Sequence, residues 1–168
     1  MKNLKDICMS SLEMEKYNPD SKIINYKDLL NYNSLINLIK TNKKIIIFYP
    51  ISADNMGHWT CLLVKKKDIY FFDSYGLYFD EQQVYANKDI LKSNKLNDEY
   101  LTMLLFDLFE KGYRIFRNPY KLQSPKSQTC GRYVSLFLIY NKSPTEFYEK
   151  FFKYNYEKPD DVIIKYIK

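Results

Sequence analysis

A chain of 168 residues, 46% hydrophobic and 27% charged, fits one domain spanning 1–168 and has the apolar material for a core, which excludes wholesale disorder. Three irregularly spaced cysteines, no CxxC pair and a single histidine exclude a disulfide framework and argue against a structural zinc site. The formal net charge of +6 admits weak contact with DNA or acidic partners, although a lysine-rich surface from AT-rich codons gives the same number.

Met1 to Ser10 lacks the long apolar run of a signal peptide, and no stretch reaches the ~18 apolar residues of a membrane span. The expectation is therefore a soluble intracellular protein without membrane contact. Residues 1–22 are polar and irregular, read as a short helix followed by a loop at Asn18-Pro19-Asp20. Leu29, Leu30, Ile36, Leu38 and Ile39 predict one helix over Tyr26 to Thr41, with Asp28 near its start. Lys43 to Tyr49 carries the β-branched run Ile45-Ile46-Ile47 and reads as a buried strand closed by Pro50. A loop from Ile51 to Gly57 leads into His58-Trp59. Thr60 to Val64 and Ile69 to Asp73 then form a hairpin about the turn Lys65 to Asp68, and Ser74-Tyr75-Gly76 ends it.

Residues 80–93 are polar and carry no periodic signal. Tyr100, Leu101, Leu104, Leu105, Leu108 and Phe109 predict a helix from about Asn97 to Lys111, with Gly112 as its C-cap. Arg114 to Tyr120 reads as a strand and Gln123 to Thr129 as a loop. Cys130 to Tyr140 is an apolar, buried helix. Ser143-Pro144 and Pro159-Asp160-Asp161 open two more helices.

Chemistry gathers at four positions. Cys130 stands where a polar loop becomes an apolar helix, so the helix dipole and its unpaired N–H groups favour a thiolate there. A buried, inert cysteine is the plain alternative. His58 opens a strand that a short hairpin joins to Asp73, and neighbouring antiparallel strands can set an imidazole beside a carboxylate. Such a carboxylate on Nδ1 would fix the tautomer and stabilise the imidazolium. Gln123 is placed to offer an amide N–H to an oxyanion, with the Cys130 backbone N–H as second donor. The plain alternatives are a structural His58, a turn-residue Asp73 and a solvated Gln123. Three of the four glycines, Gly57, Gly76 and Gly131, lie within three residues of His58, Asp73 and Cys130. Trp59 follows the histidine directly. Its indole is expected beside the cleft as a substrate-binding wall, unless it is a core residue.

The segments Gly57-His58-Trp59, Phe72-Asp73-Ser74-Tyr75-Gly76 and Gln123 to Gly131 together resemble the adenovirus maturation proteases (adenain) and the wider superfamily that includes the SUMO- and ubiquitin-like-protein proteases. The resemblance spans about residues 43–140, in the order His, Asp, Gln, Cys. Gln123 lies seven residues before Cys130 with Pro125 two residues after it, a spacing similar to the viral branch; SUMO proteases usually have six. The resemblance implies an α+β fold: a small mixed β-sheet packed with helices, a papain-like core, and the cysteine at the N-terminus of a central helix. It implies a cysteine endopeptidase that uses Cys130 as nucleophile, His58 as base and acid, Asp73 as orienter and Gln123 in the oxyanion hole. It needs neither cofactor nor metal, and its substrate would be a capsid or core precursor protein cut at glycine-containing sites. The setting would be the host cytoplasm, a viral factory or the virion of a large DNA virus or virophage. Adenovirus enzymes carry a cysteine upstream of the Gln that captures an activating peptide; no cysteine lies between Cys61 and Cys130 here. Two rival readings stand beside this one: an isopeptidase for SUMO or ubiquitin-like proteins, and a non-enzymatic basic nucleic-acid-binding protein with an unreactive Cys130 and salt-sensitive affinity.

Overall fold

In Ile45-Ile46-Ile47, alternate side chains of one strand must leave on opposite sides, yet all three are fully buried. Both faces of the sheet are therefore covered. The computed structural model describes residues 3–51, 56–82 and 99–168. Among these residues five strands run β1 (Lys22–Asn25), β2 (Lys44–Pro50), β3 (Gly57–Lys65), β4 (Asp68–Phe72) and β5 (Arg114–Arg117), and they lie side by side in that order. β2–β3–β4 is an antiparallel meander, flanked by β1 parallel to β2 and β5 parallel to β4. The α+β class with a small mixed sheet is as the sequence implies.

Six α-helices belong to the described residues: α1 (Ser11–Tyr17), α2 (Ile36–Thr41), α3 (Tyr100–Glu110), α4 (Cys130–Tyr140), α5 (Pro144–Phe151) and α6 (Pro159–Tyr166). Ile46, Trp59, Cys61, Leu63 and Phe72 meet α4, α5 and α6 in one core cluster. Ile45, Ile47, Leu62, Val64, Ile69 and Phe71 meet α2 and α3 in the other. The first cluster centres on aromatic rings. Phe72 stacks on Phe137 with centroids 4.4 Å apart, and Phe147 sets its edge against both. Among the described residues no helix is long and apolar enough to cross a membrane.

Several boundaries differ from those expected. The single helix over 26–41 is broken into a 3-10 turn, Tyr26–Asn31, and the short α2. Polar side chains here hold the backbone out of a continuous helix: Asn25 and Asp28 form a capping box, and the Ser34 hydroxyl accepts the Ile36 N–H. β1 was not foreseen, because four residues give no period. β3 begins at Gly57 rather than Thr60, so His58 sits inside the ladder opposite Tyr49. β5 stops at Arg117 rather than Tyr120. There Asn118 turns the chain, its side chain donating to the Asp73 and Tyr120 carbonyls at 2.6 and 3.0 Å, and Pro119 has no N–H for a ladder. α3 ends as expected at Gly112, whose φ of 86° lets the Gly112 and Tyr113 N–H groups reach back to Phe109 and Leu108. Most of the polar stretch 80–93, the start of the helix expected from Asn97, the middle of the loop Ile51–Gly57 and residues 1–2 lie outside the described residues.

Phe137→Ala is expected to cost about 3–5 kcal/mol, since the ring is fully buried between two others. Urea unfolding followed by circular dichroism measures this. A loss below ~1 kcal/mol would mean that the cluster repacks.

Candidate active site

The ladder pairs Cys61 with Phe72, so Thr60 faces Asp73 and His58 is its diagonal neighbour on the same face. The His58 Nε2 lies 3.0 Å from Asp73 Oδ1, and both side chains are buried. The nitrogen is Nε2, not the Nδ1 expected from the sequence, and this leaves Nδ1 for the Cys130 sulfur, whose electrostatic influence the imidazole feels. The imidazole projects from the second residue of β3, between Asp73 of the hairpin and Cys130 of α4.

Asp73 is held from more than one side. Its Oδ1 also accepts the Tyr75 N–H at 2.7 Å, and Oδ2 accepts from the Gln82 amide. Tyr75 stacks on the imidazole, with centroids 4.9 Å apart and planes 18° from parallel. Sequence reasoning missed Gln82 and the Tyr75 stack. Gln82 comes from a stretch without periodicity, and only the place of Tyr75 in the Ser74-Tyr75-Gly76 turn pointed to it.

Burial alone would push the His58 pKa down. The charge and hydrogen bond of Asp73, then the contact with Cys130, outweigh it and raise the imidazole from 6.5 to about 10. Burial likewise pushes the Cys130 thiol up. The hydrogen bond and charge of His58, then the Trp59 and Gly131 backbone N–H groups, outweigh it and bring the thiol below its ordinary value. Both shifts favour the thiolate–imidazolium form. Cys61 is the contrast: fully buried, with no such partner, its thiol is pushed well up by desolvation and by the Asp73 charge.

Gln123 is 2% exposed. Its Nε2 donates to the Ser127 carbonyl at 2.9 Å, and its Oε1 accepts the Ser74 hydroxyl at 2.6 Å. A carbonyl can only accept, so this pair fixes which end of the amide is nitrogen. One amide hydrogen is committed and the second remains. Gln123, Cys130, His58, Tyr75, Ser127 and Gln128 all line one cavity of about 360 Å³.

Two sequence expectations change here. The N-terminal segment, read from the sequence as polar and irregular, is an ordered strap. The carbonyls of Lys5, Ile7 and Met9, on alternate residues, accept from Gln128 N (2.6 Å), Arg132 Nη1 (2.6 Å) and Trp59 Nε1 (2.9 Å). The Cys8 thiol, half-buried, donates to Gln128 Oε1 at 3.1 Å. Trp59 does not wall the Cys130 cavity. It is 6% exposed and borders an adjoining groove with Cys8, Met9, Ile24 and Phe48, while Met56 and Gly57 line both spaces. Gly131 is small because the strap and this indole press on it: a Cβ there would stand 2.9 Å from the Met9 Cβ and 3.2 Å from the Trp59 ring. Among the described residues, no group of three or more His, Cys, Asp or Glu side chains is placed to hold a metal ion.

No protein-family model matches the sequence. An uncharacterised protein, V9, of Sputnik virophage is 26% identical over 146 residues, covering 83% of this chain and 81% of that protein. Among solved structures, ChlaDub1 from Chlamydia trachomatis superposes with a TM-score of 0.50 at 12% identity, over 98% of this chain and 91% of the other. The Ulp1 protease domain, solved in complex with Smt3, the yeast ortholog of SUMO, gives a TM-score of 0.39 at 15% identity, over 79% and 65% of the two chains. The likeness to ChlaDub1 is one of fold.

The pH dependence of alkylation checks the electrostatics. Iodoacetamide should modify Cys130 with an inflection below that of a free thiol, and Cys61 should stay unmodified. In His58→Ala the largest opposing influence is gone, burial prevails, and the Cys130 inflection should move up. Mass spectrometry of the peptides decides it: first reaction at Cys61, or an inflection indifferent to His58→Ala, would contradict the ion pair.

Proposed function

We propose that this chain is a cysteine endopeptidase, a single catalytic domain of the adenain and SUMO-protease superfamily, that cuts protein precursors at glycine-containing sites during virus maturation. The observation that carries the reading is the buried series Cys130, His58, Asp73 opening on a cavity that Gln123 also lines. The relative in a virophage supports a viral setting, in the host cytoplasm or a viral factory. The seven-residue interval from Gln123 to Cys130 supports the maturation branch.

In this mechanism the Cys130 thiolate attacks the scissile carbonyl carbon. The oxygen becomes an oxyanion, held by the Cys130 backbone N–H and the uncommitted Gln123 amide hydrogen. The tetrahedral species collapses, the C–N bond breaks, and His58 gives its proton to the departing amine. A thioester remains on Cys130. Neutral His58 then takes a proton from water, the hydroxide adds to the thioester, and the acid leaves as the thiolate re-forms beside the imidazolium. Asp73 keeps the ring in place throughout and takes no proton. Glycine is favoured because the acyl side of the substrate would lie in the groove between the strap and the Phe48–Trp59 pair, whose rings are 4.6 Å apart. A chain without Cβ atoms enters such a groove most readily.

Cys130→Ala should abolish cleavage with the circular dichroism spectrum unchanged. His58→Ala should cost several decades and Asp73→Asn less. Gln123→Ala should cost roughly 10²–10³ in rate. A quenched-peptide library, tested beside ubiquitin-like fusions and viral precursor proteins, identifies the substrate. Equal turnover of Leu and Gly before the scissile bond would remove the glycine rule, and Trp59→Ala should relax it. Cleavage of the fusions alone would favour an isopeptidase.

A further inference from the structure

Asp160 belongs to α6, thirty residues beyond the nucleophile, and is 6% exposed. Its carboxylate is surrounded by donors from the segment that leads into Cys130. Oδ1 accepts the Thr129 hydroxyl at 2.6 Å and the Tyr133 phenol at 3.2 Å, and Oδ2 accepts the Ser124 N–H at 3.0 Å. The order continues from there. The Ser124 carbonyl takes both the N–H and the hydroxyl of Ser127, each at 3.0 Å, and the Ser127 carbonyl takes the Gln123 amide at 2.9 Å.

Thr129 precedes α4 in the N-cap position, where a threonine hydroxyl ordinarily accepts one of the first N–H groups of its own helix. Here it makes no such bond, because the hydroxyl is turned outward to Asp160.

Resting on the reading of Cys130 as nucleophile, we propose that Asp160 is the positioning residue of the oxyanion site. By accepting the Thr129 hydroxyl and the Ser124 N–H it anchors the 123–129 loop, so that the Cys130 N–H and the Gln123 amide converge on one point. It touches neither substrate nor sulfur. The thiolate–imidazolium pair depends on His58 and Asp73, so Asp160 should govern turnover without governing thiol reactivity.

The test measures two rates on the same full-length proteins: hydrolysis of a glycine-containing quenched peptide, and alkylation of Cys130 by iodoacetamide, which forms no oxyanion. Asp160→Asn sets an amide N–H against a donor, and Thr129→Val removes only the hydroxyl. Each is expected to lower kcat about 10–100-fold with KM within about threefold, and to leave the alkylation rate and its pH inflection within about twofold. Thr129→Ser, which keeps the hydroxyl, should recover most of what Thr129→Val loses. If Asp160→Asn does not fold, the Thr129 pair decides alone. Unchanged kcat in Thr129→Val, or kcat and alkylation falling together, overturns the proposal. A wild-type Cys130 no more reactive than Cys61 defeats the nucleophile reading and this role with it; normal wild-type turnover with an indifferent Asp160 defeats this role only.

Discussion

Burying a carboxylate costs several kcal/mol unless donors surround it, and Asp73, with no exposed surface, is where this protein meets that requirement. The His58 ring, the Tyr75 N–H and the Gln82 amide are its donors, and each comes from a different part of the fold. Satisfying Asp73 requires β3 and β4 to keep their register, because a slip of one residue would send His58 to the opposite face. It also requires the turn after β4 to present a backbone N–H. The same turn offers the Asp73 and Ser74 carbonyls to Asn118, Leu122 and Gln123, which brings the segment before Cys130 alongside the hairpin. One carboxylate and the turn that carries it thus tie the imidazole, the sheet and the 123–129 loop into a single arrangement.

The parts of this arrangement that sequence made legible are local. Ile45-Ile46-Ile47 announced a strand covered on both faces, and the short hairpin brought His58 and Asp73 within reach. Cys130 was readable as a helix start because a polar loop met an apolar run there. The contacts that complete the site join distant residues and left no periodic trace. Asp160 looked like an ordinary acidic residue in a first helical turn, and Gln82 lay in a featureless stretch. Cys8 sat in a polar segment whose order comes from three backbone carbonyls, and carbonyls are the same in every sequence. The choice of Nε2 for Asp73 was also invisible, since it depends on the angle at which a strand delivers the ring. Trp59 is the intermediate case: its nearness to the site was legible, and its place in the adjoining groove was not.

Electrostatically the site sets desolvation against pairing. Cys130 and Cys61 are both buried, so burial alone would raise both thiols. Only Cys130 has an imidazole partner and the free end of a helix. The difference between an inert and a poised thiol is therefore made by neighbours and not by exposure. The overall charge of +6 plays no part in this contrast, which is set by groups in contact with each sulfur.

The strap and Asp160 bear on the order in which the protein is synthesised. Lys5 and Ile7 wait for Gln128 and Arg132, and Thr129 waits for Asp160. These are closures of more than 120 and about 30 residues, the slow kind in any chain. A nascent polypeptide on the ribosome that has reached Tyr140 already contains Cys130, His58 and Asp73 but lacks the carboxylate that binds Ser124 and Thr129. Under the proposed function, activity would thus arrive only after Cys130 has been translated, when the chain has passed Asp160 and folded back on its first residues.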